Sequence, residues 1–162
     1  MPEYTILHPQ SCLNPKAPMI KPVNSKEEYP QLLQIWEASV RATHTFLNAE
    51  KINEIKQIIT ESNLLANYDL YAYCSDQEKT GFFALSKDKI EMLFIHPDYR
   101  GSGIGKKLTN FAVQEKSVKK VDVNEQNEQA VGFYLKMGFK VVSKTPLDDM
   151  GNPFPILRMS LM

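Results

Sequence analysis

The chain has 162 residues, with 19 Lys+Arg against 19 Asp+Glu and 43% hydrophobic residues. That length suits one domain with a core of its own, and the charge content is that of a folded globular protein. A formal charge of zero removes the electrostatic footprint of a general nucleic-acid binder, so no nucleic-acid partner is expected.

Residues 1–18 carry Pro2, Pro9, Pro15 and Pro18 without an apolar period and read as an irregular arm ahead of a single domain at 19–162. Met19 to Val23 reads as a strand. Ser25 and Glu28 have capping-box spacing, although Pro30 would move the helix start a few residues on. Leu33, Trp36, Val40 and Phe46 or Leu47 then recur at helical spacing and read as core packing. A second helix spans Ile52 to Leu65, with Ile55, Ile58 and Ile59 inward. Tyr68 to Cys74, Thr80 to Ser86 and Lys89 to His96 are short β-rich runs between polar turns. A helix to about Lys116 carries Leu108, Phe111, Ala112 and Glu115 on one face. Val121 to Asn124 is a strand, Glu128 to Met137 a helix, and Phe139 to Lys144 and Ile156 to Leu161 are strands. The alternation predicts one α/β domain with a mixed sheet.

The opening residues lack the layout of a signal peptide, and no apolar run approaches a membrane span, so no membrane partner and a cytoplasmic location are expected. Cys12 and Cys74 form no CxxC pair and read as free thiols. No His/Cys/carboxylate group has ligand spacing, so no metal is expected.

The most informative segment runs from Ile90 to Lys106: a strand ends, His96-Pro97 turns, and Arg100-Gly101-Ser102-Gly103-Ile104-Gly105-Lys106 opens a helix. Glycines permit close backbone approach, and the free amides of a helix start suit an anion. A Walker A loop fails here, because Arg100 stands where its first glycine should be and Lys107 replaces its hydroxyl. A dinucleotide fingerprint fails too, since Lys106 or Leu108 falls at the third glycine.

Arg100-x-x-Gly103-x-Gly105 instead resembles the Arg/Gln-x-x-Gly-x-Gly/Ala acetyl-CoA signature of the GNAT (Gcn5-related N-acetyltransferase) superfamily. Asn127-x-x-Ala130-x-x-x-Tyr134, followed by Gly138-Phe139, is similar to that family's second block, in the right order and spacing. The resemblance covers about residues 19–162 and is closest to small single-domain bacterial members. It implies a mixed, mostly antiparallel sheet with helices on both faces and a splayed central strand pair. It also implies acetyl-CoA as donor and an amine as acceptor: a protein lysine, a protein amino terminus or a small molecule. A noncatalytic acyl-CoA-binding or interaction module on the same fold is the alternative.

By the same resemblance, Arg100, Gly101, Ser102, Gly103, Ile104, Gly105 and Lys106 hold the CoA pyrophosphate. Leu93, Phe94 and Ile95 pair with the pantetheine arm, which Asn127 also contacts, and Tyr134 lies beside the sulfur. A neutral phenol at Tyr134 can give a proton to a departing thiolate; a core aromatic is the plain reading. Glu91 shares a face with Leu93 and Ile95 by strand parity and reads as a general base or a solvated carboxylate. His44 is the other base or substrate-contact candidate, by its ordinary pKa near 6.5, against a structural histidine. Asp148 and Asp149 attract a cationic amine or form a plain turn. Direct attack in a ternary complex is expected, since neither cysteine has a nucleophile's partners. The final strand, Ile156 to Leu161, could pair across a homodimer.

Overall fold

The computed structural model describes residues 19–161, so the arm expected at 1–18 lies outside the described residues. Seven strands form one sheet: β1 (Met19–Pro22), β2 (Asp69–Ser75), β3 (Glu78–Ser86), β4 (Lys89–Ile95), β5 (Lys120–Asn124), β6 (Phe139–Thr145) and β7 (Ile156–Leu161). Their order is β1-β2-β3-β4-β5-β7-β6, antiparallel throughout apart from the parallel β4–β5 pair. The helices are α1 (Tyr29–Thr43), α2 (Ala49–Glu61), α3 (Ile104–Lys116) and α4 (Glu128–Lys136). The mixed, mostly antiparallel sheet is the fold expected.

Strand β3 shows why the sheet is covered on both faces. Phe82 and Ala84 point into one cluster with Leu32, Ile35, Trp36 and Val40 of α1, while Phe83 and Leu85 point into another with Leu108 and Ala112 of α3. Period-2 alternation between two apolar layers gives a continuous apolar run rather than an in–out pattern. Each fully buried side chain of this size contributes about 1.5–3 kcal/mol.

The helix starts follow from local chemistry. Ser25 and Glu28 form the capping box, the hydroxyl accepting from the Glu27 amide and the carboxylate accepting from the Ser25 amide. Pro30 does not delay α1, which begins at Tyr29, because a proline in the first turn loses no intrahelical bond. Helix α1 stops at Thr43, so Phe46 and Leu47 belong to the following loop rather than to its stripe. Asn48 caps α2, accepting from the Lys51 amide at 2.7 Å, an arrangement worth about 1 kcal/mol. Ile58 does not point inward as expected; it is exposed, and Ile52 and Ile59 carry the buried face.

Three further expectations change in the structure. Strand β7 is not an exposed edge: it pairs with β5 on one side and β6 on the other, so it offers no free edge for a partner. The edge on that side of the sheet is β6, with Val141 and Val142 exposed. Cys74 is disulfide-bonded rather than free, because distance along the chain does not report proximity in the fold. Finally, the β3–β4 ladder slips: Ala84 pairs with Met92 and Leu85 with Ile90, leaving Glu91 as an unpaired bulge residue.

Candidate active site

The bulge at Glu91 has a consequence for the middle of the sheet. Bulges bend a strand and increase its twist. Strands β4 and β5 pair only at Lys89–Lys120 and Ile90–Val121, and beyond that point they part. A cleft of about 510 Å3 opens between Met92–Ile95 of β4 and Asp122–Asn124 of β5. Residues Met92 to Ile95 pair with β3 on one edge only, so their other edge faces the cleft.

The glycine loop closes one end. Gly101 and Gly103 adopt φ of +79° and +84°, a region that side chains rarely enter, and a Cβ at either would meet nothing within 4 Å. Open space therefore lies over the amides at the start of α3. Asparagines cap α2 and α4, yet no side chain caps α3, and its first turn holds no acidic residue. Uncapped amides facing open space beside Lys106 fit a multiply charged anion such as a pyrophosphate. Gly105 lies beside Phe133 of α4, where a Cβ would stand at an ordinary contact distance of 3.5 Å from the ring.

Of the cofactor-binding residues expected from sequence, Leu93, Phe94, Ile95, Arg100, Gly101, Gly103, Ile104, Gly105, Lys106, Asn127 and Tyr134 line this cleft. Ser102 does not, because its hydroxyl turns back to donate to the Tyr99 carbonyl and closes the loop. Arg100 directs its guanidinium to α1, with Nη2 3.3 Å from Ser39 Oγ and 3.4 Å from the Ser39 carbonyl. The side-chain oxygen of Asn127 accepts from the Ala130 amide and caps α4.

Tyr134 projects from α4 between Phe133 and Phe139, edge-on to both rings. It is 5% exposed, and burial pushes its phenol well above the ordinary tyrosine range, so the group is neutral near pH 7. Its hydroxyl makes no hydrogen bond to another described side chain or backbone group.

Glu91 and His44 line the opposite side of the cleft. The parity argument for Glu91 fails at the bulge. Leu93 and Ile95 pack into the α3–α4 cluster, whereas Glu91 meets Lys89 Nζ at 3.4 Å on the other face. Lys89 in turn donates to Asp122 at 2.9 Å, Arg158 donates to the same carboxylate at 2.6 Å, and Asp149 meets Arg158 at 3.3 Å. Asp149 is thus engaged by an arginine, and Asp148 holds a turn by accepting from the Met150 and Asn152 amides.

His44 follows the last turn of α1 and packs against Phe46 and Phe94. Burial, aided by the nearby Arg100 charge, pushes its imidazole down to about 4, so it is neutral near pH 7 rather than titrating there. The unfolded chain then binds a proton more readily than the folded one between about pH 6.5 and pH 4. Stability should fall across that window as pH drops, by up to about 3 kcal/mol from this residue. Urea unfolding at pH 7 and pH 4.5 measures it, and His44→Gln should flatten the difference.

Sequence reasoning missed Ser39 and Thr43, which line the cleft from the end of α1, and Phe133, which lines it from α4. Nothing local marks the first two, since small polar residues near a helix end are commonplace. Among the described residues no cluster of three His, Cys, Asp or Glu could hold a metal, and no helix is long and apolar enough to cross a membrane.

Known proteins place this geometry. The acetyltransferase (GNAT) domain family matches residues 32–161. The peptidyl-lysine N-acetyltransferase YjaB of Salmonella typhimurium is 43% identical over 134 residues, covering 82% of this chain and 91% of that protein. The solution structure of the apo form of YjaB from Escherichia coli superposes with a TM-score of 0.80 at 38% identity, covering 90% of this chain and 98% of that one. A PaiA N-acetyltransferase from Thermoplasma acidophilum, solved in complex with coenzyme A, shares the fold with a TM-score of 0.70 at 21% identity, over 89% of this chain and 99% of that one. A split β4–β5 pair, an uncapped glycine-led helix and a family match across most of the chain agree: this protein belongs to the GNAT family of acetyl-CoA-dependent N-acetyltransferases.

Proposed function

We propose that this N-acetyltransferase transfers acetyl groups from acetyl-CoA to the side-chain amine of protein lysines. The observation that carries the acceptor class is the 43% identity, across most of both chains, to a relative named as a peptidyl-lysine N-acetyltransferase.

Bound acetyl-CoA brings an activated acyl thioester. The open amides at Gly101, Gly103 and the first turn of α3 bind its pyrophosphate, and Lys106 adds positive charge. The free edge of Leu93–Ile95 receives an extended chain as an added strand would, through backbone donors and acceptors. Glu91, held by Lys89, takes up the proton that the attacking amine loses, and Tyr134 supplies its phenolic proton to the leaving sulfur. Transfer is direct: the described part of the cleft has no cysteine among its lining residues, so no thiol there can take up the acetyl group. Holding both reactants in one cleft supplies effective molarities that reach about 10⁵–10⁸ M.

Mass spectrometry after incubation with acetyl-CoA tests the acceptor. A peptide with a blocked amino terminus and one free lysine should be acetylated. Modification only of a lysine-free peptide at its amino terminus, or only of spermidine, would overturn the lysine reading.

A further inference from the structure

His44 and Thr43 meet in an arrangement that settles where one proton lies. The Thr43 hydroxyl oxygen is 2.8 Å from the Ser39 carbonyl and 2.8 Å from His44 Nδ1. The hydroxyl has one proton, and a carbonyl can only accept. If that proton went to His44, two oxygen lone pairs would face each other at 2.8 Å. If it goes to Ser39, both contacts become hydrogen bonds, provided His44 Nδ1 carries a proton and donates it to Thr43. Nε2 then keeps its lone pair. The Arg100 guanidinium lies against Ser39 from the glycine loop, Phe94 faces the ring from β4, and Phe46 faces it from the α1–α2 loop.

We propose that Thr43 is a positioning residue that fixes His44 as the neutral tautomer with a free Nε2, and that Nε2 accepts an N–H of the incoming lysine amine. This deepens the proposed function and rests on the cleft being its amine site. A neutral acceptor on this wall holds the amine without repelling its charged form. Glu91 on the β4 bulge remains the group that takes the proton. Arg100 reaches Ser39 from the anion-binding loop independently of Thr43, so the amine side can be altered without moving that loop.

His96 provides an internal contrast, since its Nδ1 accepts from the Asp98 amide and its proton therefore sits on Nε2. Long-range 1H–15N spectra of 15N-histidine-labelled protein at pH 7 distinguish the two forms, with the His44 signals identified by their loss in His44→Gln. The expected result is Nδ1–H at His44 and Nε2–H at His96. Thr43→Val should abolish the His44 preference and Thr43→Ser should keep it. With a blocked lysine peptide as acceptor, Thr43→Val should raise the peptide KM about three- to tenfold, as loss of one oriented hydrogen bond predicts. Thr43→Ser should restore it, with the acetyl-CoA KM unchanged in both variants. An Nε2–H tautomer at His44 in the wild type overturns the proposal, and so does an unchanged peptide KM in folded Thr43→Val. The spectra need no acceptor, so failure of the lysine assay with the expected tautomer would count against the amine assignment and leave the Thr43 arrangement standing.

Discussion

Tyr134→Phe is expected to lower kcat by about 10²–10⁴-fold, the range of a positioned proton donor, while acetyl-CoA affinity changes little. The substitution removes one oxygen and keeps the ring, so the edge-on contacts with Phe133 and Phe139 persist. The hydroxyl has no hydrogen bond to a described neighbour, so its loss orphans no protein group and the fold should hold. Burial keeps the phenol protonated well past neutral pH, which is the state a donor needs. Steady-state kinetics with a lysine peptide and calorimetric titration with acetyl-CoA measure the two halves separately. Unchanged turnover in the variant would remove Tyr134 from the chemistry and return it to the core.

Gly103→Asp should weaken acetyl-CoA binding tenfold or more, which corresponds to about 1.4 kcal/mol. Two effects act there. The backbone sits at φ +84°, which costs most side chains stability but which Asp and Asn tolerate. The new carboxylate would also occupy the open space over the α3 amides and oppose an anion, at about 1–4 kcal/mol for a unit charge pair near 4 Å. Gly103→Asn separates them, since it has nearly the same shape and backbone demand without the charge. It should retain most of the affinity. Equal losses in both variants, measured by calorimetry on protein with an unchanged melting profile, would mean the loop does not read charge.

The glycine loop was legible in the sequence because the chemistry that makes it a cradle is local: positive φ favours glycine, and a helix start exposes amides wherever it falls. The α1 stripe was legible for the same reason, with Trp36 and Val40 buried at the spacing that a helix imposes. What the sequence hid was non-local or broke a period. Glu91 was assigned to the wrong face because parity counting assumes an unbroken ladder, and the extra residue at the bulge reverses it. The placement of β7 between β5 and β6 depends on pairing across the sheet, which no local pattern of Ile156–Leu161 records. Arg100 matches the loop motif by position, yet its side chain serves α1, a destination set by packing.

The two-residue contact between β4 and β5 also divides the molecule by chain order. Strands β1–β4 with α1, α2 and α3 are contiguous in sequence, as are β5, α4, β6 and β7, and the boundary falls in the short segment between Lys116 and Lys120. Their docking completes the layer where Leu108 and Phe83 meet Val121, Tyr134 and Phe139. The substrate cleft is therefore a seam between two contiguous stretches of chain. A ligand seated there touches both stretches and braces them, adding about 2.7 kcal/mol to global stability at a hundred times its Kd.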